Sequence, residues 1–167
     1  MVDVEVNDYT VRRANASDAT ALRAIRLESL IDTPDAYGSI YANLLRWSDA
    51  RWRRAALESN YFLAECDGQV VGMASGGFND MHPDTYWLFA MFVTPRFRGT
   101  GVASTLVQEV SAWARRDGAD RLFLHVTESV PRARAFYEKF GFRYNGERIV
   151  MDRDPSLTLV TMELELD

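Results

Sequence analysis

The chain has a single cysteine, Cys66, so it cannot close a disulfide within itself. Histidine is nearly as scarce, with two residues, and neither an HExxH nor a CxxC spacing occurs, so no metal site is expected. No apolar run approaches the roughly 18 to 20 residues that span a bilayer; the strongest, from Trp87 to Val93, is only strand length, so no membrane partner is expected. The acidic opening MVDVEVNDYT lacks the basic and apolar regions of a secretory signal, which makes the cytoplasm the expected location. Basic residues are outnumbered, 19 Lys and Arg against 24 Asp and Glu, for a formal charge of −5. A general nucleic-acid binder needs clustered cations to neutralise phosphates, so nucleic acid is not an expected partner. Repeats, low-complexity tracts and Pro/Gly/Ser linkers are also missing, and one domain over residues 1–167 is the simplest organisation.

What the chain does have is apolar residues, at 47%, enough for a full core without disulfides or metals. Residues 10–13 read as a first strand. Ser17 and Asp18 offer an N-cap to a helix carrying Leu22, Ile25 and Leu30 on one side and stopping before Pro34. A second helix is expected over Ser48 to Glu58. The runs YFLAEC and QVVGMASGGF, separated by Asp67-Gly68, predict an antiparallel hairpin. A loop with Asp80, His82, Pro83 and Asp84 then leads into the strand YWLFAMFV, which ends at Thr94-Pro95. Val102, Leu106, Val107, Val110, Trp113 and Ala114 recur at helical spacing up to Gly118. RLFLHV reads as a strand, PRARAFYEKF as a helix between Pro131 and Gly141, and LTLVTMELEL as a last strand. The predicted class is mixed α/β, with a mostly antiparallel sheet and one parallel pair.

The segment Arg96-Phe97-Arg98-Gly99-Thr100-Gly101-Val102-Ala103-Ser104 lies where a strand gives way to a helix. Its glycines allow close backbone approach, and successive N–H groups at a helix start can converge on a phosphate, with Arg96 and Arg98 adding positive charge. The bland alternative is two arginines on a solvated turn. A nucleotide P-loop is excluded because no Lys-Ser/Thr follows, and the dinucleotide fingerprint because Ser104 holds the third glycine position.

Arg96, Gly99 and Gly101, with the flanking VTP and VASTLV, resemble the coenzyme-binding signature of the GNAT family of N-acetyltransferases, and ARAFYEKFGF at 133–142 resembles its second signature. The resemblance implies a GNAT-like fold: a twisted sheet of about six to seven strands with one splayed parallel pair, flanked by about four helices. It implies transfer of an acetyl group from acetyl-CoA to a primary amine within a ternary complex. Met91, Phe92 and Val93 would border the pantetheine arm, and Arg96, Arg98, Gly99, Thr100, Gly101, Val102, Ala103 and Ser104 would hold the pyrophosphate, with Phe136 nearby. Backbone N–H groups near Met91 would polarise the thioester carbonyl. Tyr137 would protonate the leaving thiolate; the alternative is a packing tyrosine on the stripe of Ala133 and Phe140.

Three positions depart from the family pattern. Val130 stands where many members have an asparagine that contacts the coenzyme arm, Ala103 replaces a frequent glycine, and Trp87 lies near the position of a glutamate that some members use as base. The attacking amine must lose a proton, and the candidates are Glu28 on the first helix and Asp80, His82 and Asp84 in the loop, each otherwise a solvated residue. His125 reads as a satisfied, half-buried histidine. The acceptor, a small-molecule or protein amine, is not readable, and homodimers are common among proteins of this kind. The rival readings are a coenzyme-binding module without efficient transfer and an interaction domain built on Tyr41, Trp47, Trp52, Tyr86 and Trp87. A serine hydrolase lacks its GxSxG turn.

Overall fold

A computed structural model describes residues 8–167. The acidic opening segment, residues 1–7, lies outside them. Seven strands form one sheet in the order β1-β2-β3-β4-β5-β7-β6. They are β1 (Tyr9–Arg13), β2 (Tyr61–Cys66), β3 (Gln69–Asn79), β4 (His82–Val93), β5 (Arg121–Thr127), β6 (Arg143–Met151) and β7 (Asp154–Glu165). Five α-helices are present among the described residues: α1 (Ala19–Asp32), α2 (Tyr41–Leu45), α3 (Asp49–Glu58), α4 (Val102–Arg116) and α5 (Pro131–Phe140). Every neighbouring pair is antiparallel except β4–β5, the expected parallel pair. No described helix is long and apolar enough to cross a membrane.

Four local expectations need correction. The first helix is entered through a 3-10 turn, Ala16–Asp18, capped by Asn15; its side chain accepts from Ser17 N while Asp18 reaches back to Asn15 N at 2.8 Å. Asp18 is free to do this because Arg12 grips its carboxylate with two bonds of 2.8 Å, so the capping box also ties β1 to the helix. The segment read as a loop from Asp80 to Asp84 is a tight turn only at Asp80-Met81; His82, Pro83 and Asp84 already belong to β4. Helix α2, a single short turn, carried too little periodicity to be read. Strand β6 was also unread because its burial is largely exposed and its residues, RYNGERIVM, are mostly polar.

The core lies on both faces of the sheet. Under α4, Val102, Leu106, Val107, Val110 and Ala114 are fully buried against Phe62, Leu122, Leu124, Val160 and Met162. Helix α4 comes close because β3 offers glycine: a Cβ at Gly76 would lie 2.4 Å from the Trp113 ring. On the other face α1 and α3 pack Leu22, Ile25, Leu30, Trp52 and Ala56 onto Leu63, Met73 and Phe92. Trp47 leans on Trp52 at 4.7 Å, and of the five aromatics considered for an interface Trp52 and Trp87 are almost wholly buried, Trp47 and Tyr86 are half-buried against the core, and Tyr41 is exposed.

The feature that positions the site is the parting of β4 from β5. Their parallel pairing covers only Tyr86↔Leu122 and Trp87↔Phe123. Beyond it, β4 carries an extra residue relative to β3, since Ser75 faces Phe89 while Met73 faces Phe92. Ala90 sits in this bulge at φ 52°, a left-handed conformation that bends and twists a strand. The bulged end of β4 therefore veers away from β5.

Candidate active site

Between the parted strands lies a cavity of about 410 Å³. Leu88, Phe89, Ala90 and Met91 of β4 form one wall; Leu124, His125, Val126 and Thr127 of β5 form the other. Ala90 and Met91 have no cross-strand partner in the β3 register and none in β5, so their backbone groups are left for other partners. One such group is spoken for, because the Tyr37 hydroxyl donates to the Met91 carbonyl at 2.7 Å. Phe92 and Val93, in contrast, point their side chains into the two cores.

The loop after β4 has the left-handed glycines and open helix start that its sequence suggests. A 3-10 turn over Pro95–Phe97 leads to Gly99 at φ 73° and Gly101 at φ 92°, and Gly101 is the N-cap of α4 with no side chain closing it. The first N–H groups of α4, at Val102, Ala103 and Ser104, thus face outward without intrahelical acceptors. The Gly99 Cα opens onto free space, and the nearest group to a Cβ at Gly101 would be the Tyr9 hydroxyl at 3.5 Å. Such a cradle fits a phosphate or pyrophosphate. Thr100 turns its hydroxyl back to the Phe97 carbonyl, and Val102 buries its side chain, so both offer the loop only backbone.

The two arginines have different tasks. Arg96 is exposed and available to an anion. Arg98 is engaged: its Nε donates to the Val93 carbonyl at 3.1 Å and its Nη2 contacts Asp32 at 2.5 Å. Burial works against ionisation of Asp32, but hydrogen bonds from Thr33 and Arg98 outweigh it and hold the carboxyl below its usual value. Arg98 therefore staples the end of β4 to the end of α1.

Tyr137, on α5, lines the cavity with 7% of its surface exposed and touches Phe136 and Phe142 edge-on. Burial pushes its phenol above the ordinary tyrosine value, so it is a neutral donor. Phe136 itself is half-buried against the core and does not line the cavity. Val130 does line it and offers only an apolar surface.

Glu28 is exposed on α1 and lies outside the cavity lining. The same holds for Asp80, His82 and Asp84; His82 instead approaches Glu147 at 3.9 Å. His125 is the correction: it lines the cavity, packs against Trp87 with ring centroids 4.6 Å apart and the planes tilted by 57°, and its Nε2 is buried without a hydrogen-bond partner among the described residues. Burial pushes its pKa down, so the neutral imidazole is favoured.

Sequence reasoning also missed Arg26, Tyr37, Ser39 and Tyr61, the further polar residues that line the cavity. Arg26 had a signal: positions 22, 25, 26, 29 and 30 form the buried stripe of α1, and an arginine at helical spacing within an apolar stripe is out of place.

This arrangement has counterparts. An acetyltransferase of the GNAT family from Streptococcus pneumoniae superposes with TM-score 0.79 at 20% identity, covering 96% of this chain and 100% of that one. A structure from Salmonella typhimurium determined with its cofactor acetyl-CoA gives TM-score 0.73 at 23% identity, covering 96% and 95%. Both likenesses concern the fold. An uncharacterised N-acetyltransferase of Mycobacterium tuberculosis (strain H37Rv) is 36% identical over 99 residues, a match that spans 58% of this chain and 57% of the relative. The family described as "Acetyltransferase (GNAT) family" matches residues 22–142, well over half of the chain. With the splayed parallel pair, the bulged β4 and the open helix start all present, the chain belongs to the GNAT acetyltransferase family.

Proposed function

We propose that the protein is an N-acetyltransferase that moves the acetyl group of acetyl-CoA to a primary amine. The observation that carries this reading is the cavity between β4 and β5, which is lined by the Ala90-Met91 segment left outside the strand ladder, by Tyr137 and by His125. The start of α4 and Arg96 would hold the pyrophosphate, and Met91 would border the thioester. Acetyl-CoA supplies an activated carbonyl and a good leaving group.

The chain's own groups then have three tasks. Backbone N–H groups of the bulge hold the carbonyl oxygen as negative charge builds on it. His125, the neutral base among the cavity's lining residues, takes the proton that the amine sheds, directly or through one water, in place of the carboxylate that the family often uses. Tyr137 gives its proton to the sulfur as the C–S bond breaks and the new C–N bond forms, and regains it from solvent. The products are an N-acetylated amine and a free thiol.

The test is calorimetric titration of the purified protein with acetyl-CoA, followed by an assay for thiol release with amine panels. Gly101→Trp, which places a bulky side chain in the phosphate cradle at a left-handed position, should abolish binding. Binding with no amine-dependent thiol release under any condition would reduce the protein to a coenzyme-binding module. Sedimentation of the same sample checks the homodimer that the resemblance leads one to expect.

A further inference from the structure

The cavity contains one formally charged side chain, Arg26, and no carboxylate among its lining residues. That is unusual for a site whose acceptor must be an amine, and it runs opposite to the chain's overall charge of −5. Arg26 reaches the cavity from the inward stripe of α1, with 7% of its surface exposed. Among the described residues it forms no ion pair within 4.0 Å, and the one side-chain hydrogen bond it makes is from Nη2 to Ser39 Oγ at 3.0 Å. A guanidinium has five N–H donors, so most of its hydrogen-bonding capacity is unused.

Buried charges are ordinarily paired, because desolvation without a partner is costly. The polar side chains that line the cavity around Arg26 are neutral hydroxyls, none of which carries the negative charge that would balance it. Ser39 and Tyr61 line the same part of the cavity, and burial pushes the Tyr61 phenol above its ordinary value, keeping it protonated. Tyr37 is already committed to the Met91 carbonyl and so connects this donor cluster to the bulge of β4. A guanidinium flanked by neutral hydroxyls is a receptor for a carboxylate, which it can bind through two parallel N–H bonds.

We infer that the acceptor is a small amine bearing a carboxylate, an amino-acid-like molecule whose carboxylate seats on Arg26, Ser39 and Tyr61 while its amine is presented to His125 and the thioester. This inference rests on the acetyltransferase reading of the same cavity. The cavity of about 410 Å³ must also admit the end of the acyl donor, so the acceptor is small. A polycationic acceptor is disfavoured because the cavity offers it no counter-charge. The carboxylate takes no part in bond making; it fixes where the nitrogen lies.

The experiment compares matched pairs, each a free amino acid and the amine left by removing its carboxylate, as acceptors in the thiol-release assay. Phenylalanine with phenethylamine and leucine with isopentylamine are suitable pairs. The wild type should prefer the carboxylate-bearing member in kcat/KM by about 10- to 100-fold, the worth of a hydrogen-bonded contact to a charged group. Arg26→Gln should bring that ratio close to one, chiefly through KM, and Arg26→Lys should restore part of it. Titration with acetyl-CoA reports whether each variant keeps its fold. If Arg26→Gln does not fold, Ser39→Ala takes its place and should narrow the ratio. Decarboxylated amines used as well as their parents, or a ratio untouched in Arg26→Gln, would overturn the inference while leaving the acetyltransferase reading intact. Failure of the wild type to bind acetyl-CoA at all would remove both.

Discussion

Tyr137 and His125 face one cavity, and burial moves them in opposite directions along the pH scale: it raises the phenol and lowers the imidazole. Both shifts favour the neutral form, so the site holds a proton donor and a proton acceptor at once near pH 7. Tyr137→Phe should lower kcat by about 100-fold, with little change in acetyl-CoA affinity, if the hydroxyl delivers the proton to sulfur. Single-turnover rates beside a binding titration check this, and equal loss in both would mark Tyr137 as a packing residue. His125→Gln should also lower kcat, with an effect that shrinks as pH approaches the pKa of the amine. The same histidine makes a stability prediction. Its folded value lies below that of the unfolded chain, about 6.5, so as pH falls through that range the unfolded chain gains a proton that the folded one resists. Wild type should lose more stability than His125→Gln between pH 7.5 and pH 5, measured as urea midpoints.

Elements with strong periodicity were legible from sequence because a single physical demand shaped each. Helix α4 buries one stripe, the β2–β3 hairpin turns on Asp67-Gly68, and the loop between β4 and α4 needs glycine at two left-handed positions. Where tertiary contacts replace local ones, the reading stopped. β6 has little buried face, the Asp18 half of the capping box is held by Arg12 from a neighbouring strand, and the Ala90 bulge puts an ordinary alanine in a conformation that no local pattern announces. In the candidate site, the two glycines at the start of α4 and the place of Tyr137 on α5 were visible through motif spacing. Arg26 carried only the weak signal of an arginine within the apolar stripe of α1, and His125 carried none, because a buried ring nitrogen without a partner is a property of neighbours rather than of sequence. At this scale the close approach of α4 to β3 is a sharp point of failure. Gly76→Ala would drive a methyl into the Trp113 ring, where backbone and a large side chain must both yield. A loss of about 1–3 kcal/mol is expected from such overpacking, read from chemical unfolding. Asp18→Ala should cost about 1–2 kcal/mol, because it removes the capping-box bond to Asn15 N and leaves Arg12 without that partner.

Across the whole molecule, β4 and β5 share only two paired residues, so the sheet is nearly divided into β1–β4 and β5–β7. On the α4 face the division is bridged, since one cluster runs from Phe62 and Val71 through Leu122 and Leu124 to Val160 and Met162. On the opposite face the cluster under α1 and α3 reaches β4 at Phe92 and includes no residue of β5 or β7. The two halves thus share an apolar floor, while on the other face they are joined by polar contacts from the segment after α1, Thr127 Oγ1 to the Asp35 carbonyl and Arg153 to the Tyr37 carbonyl, and a ligand lying in the gap would contact both. Binding to the folded state alone stabilises it by about 2.7 kcal/mol at 100 times Kd. For a chain of this length each kcal/mol raises Tm by about 2–4 °C, so saturating acetyl-CoA should raise Tm by about 5–10 °C. The gain should vanish in Gly101→Trp, whose phosphate cradle is blocked. Hydrogen exchange gives this expectation its spatial content: protection should increase on both sides of the gap, at Leu88–Met91 and Leu124–Thr127, whereas binding confined to the α4 loop would protect Gly99–Ser104 and leave the strands unchanged.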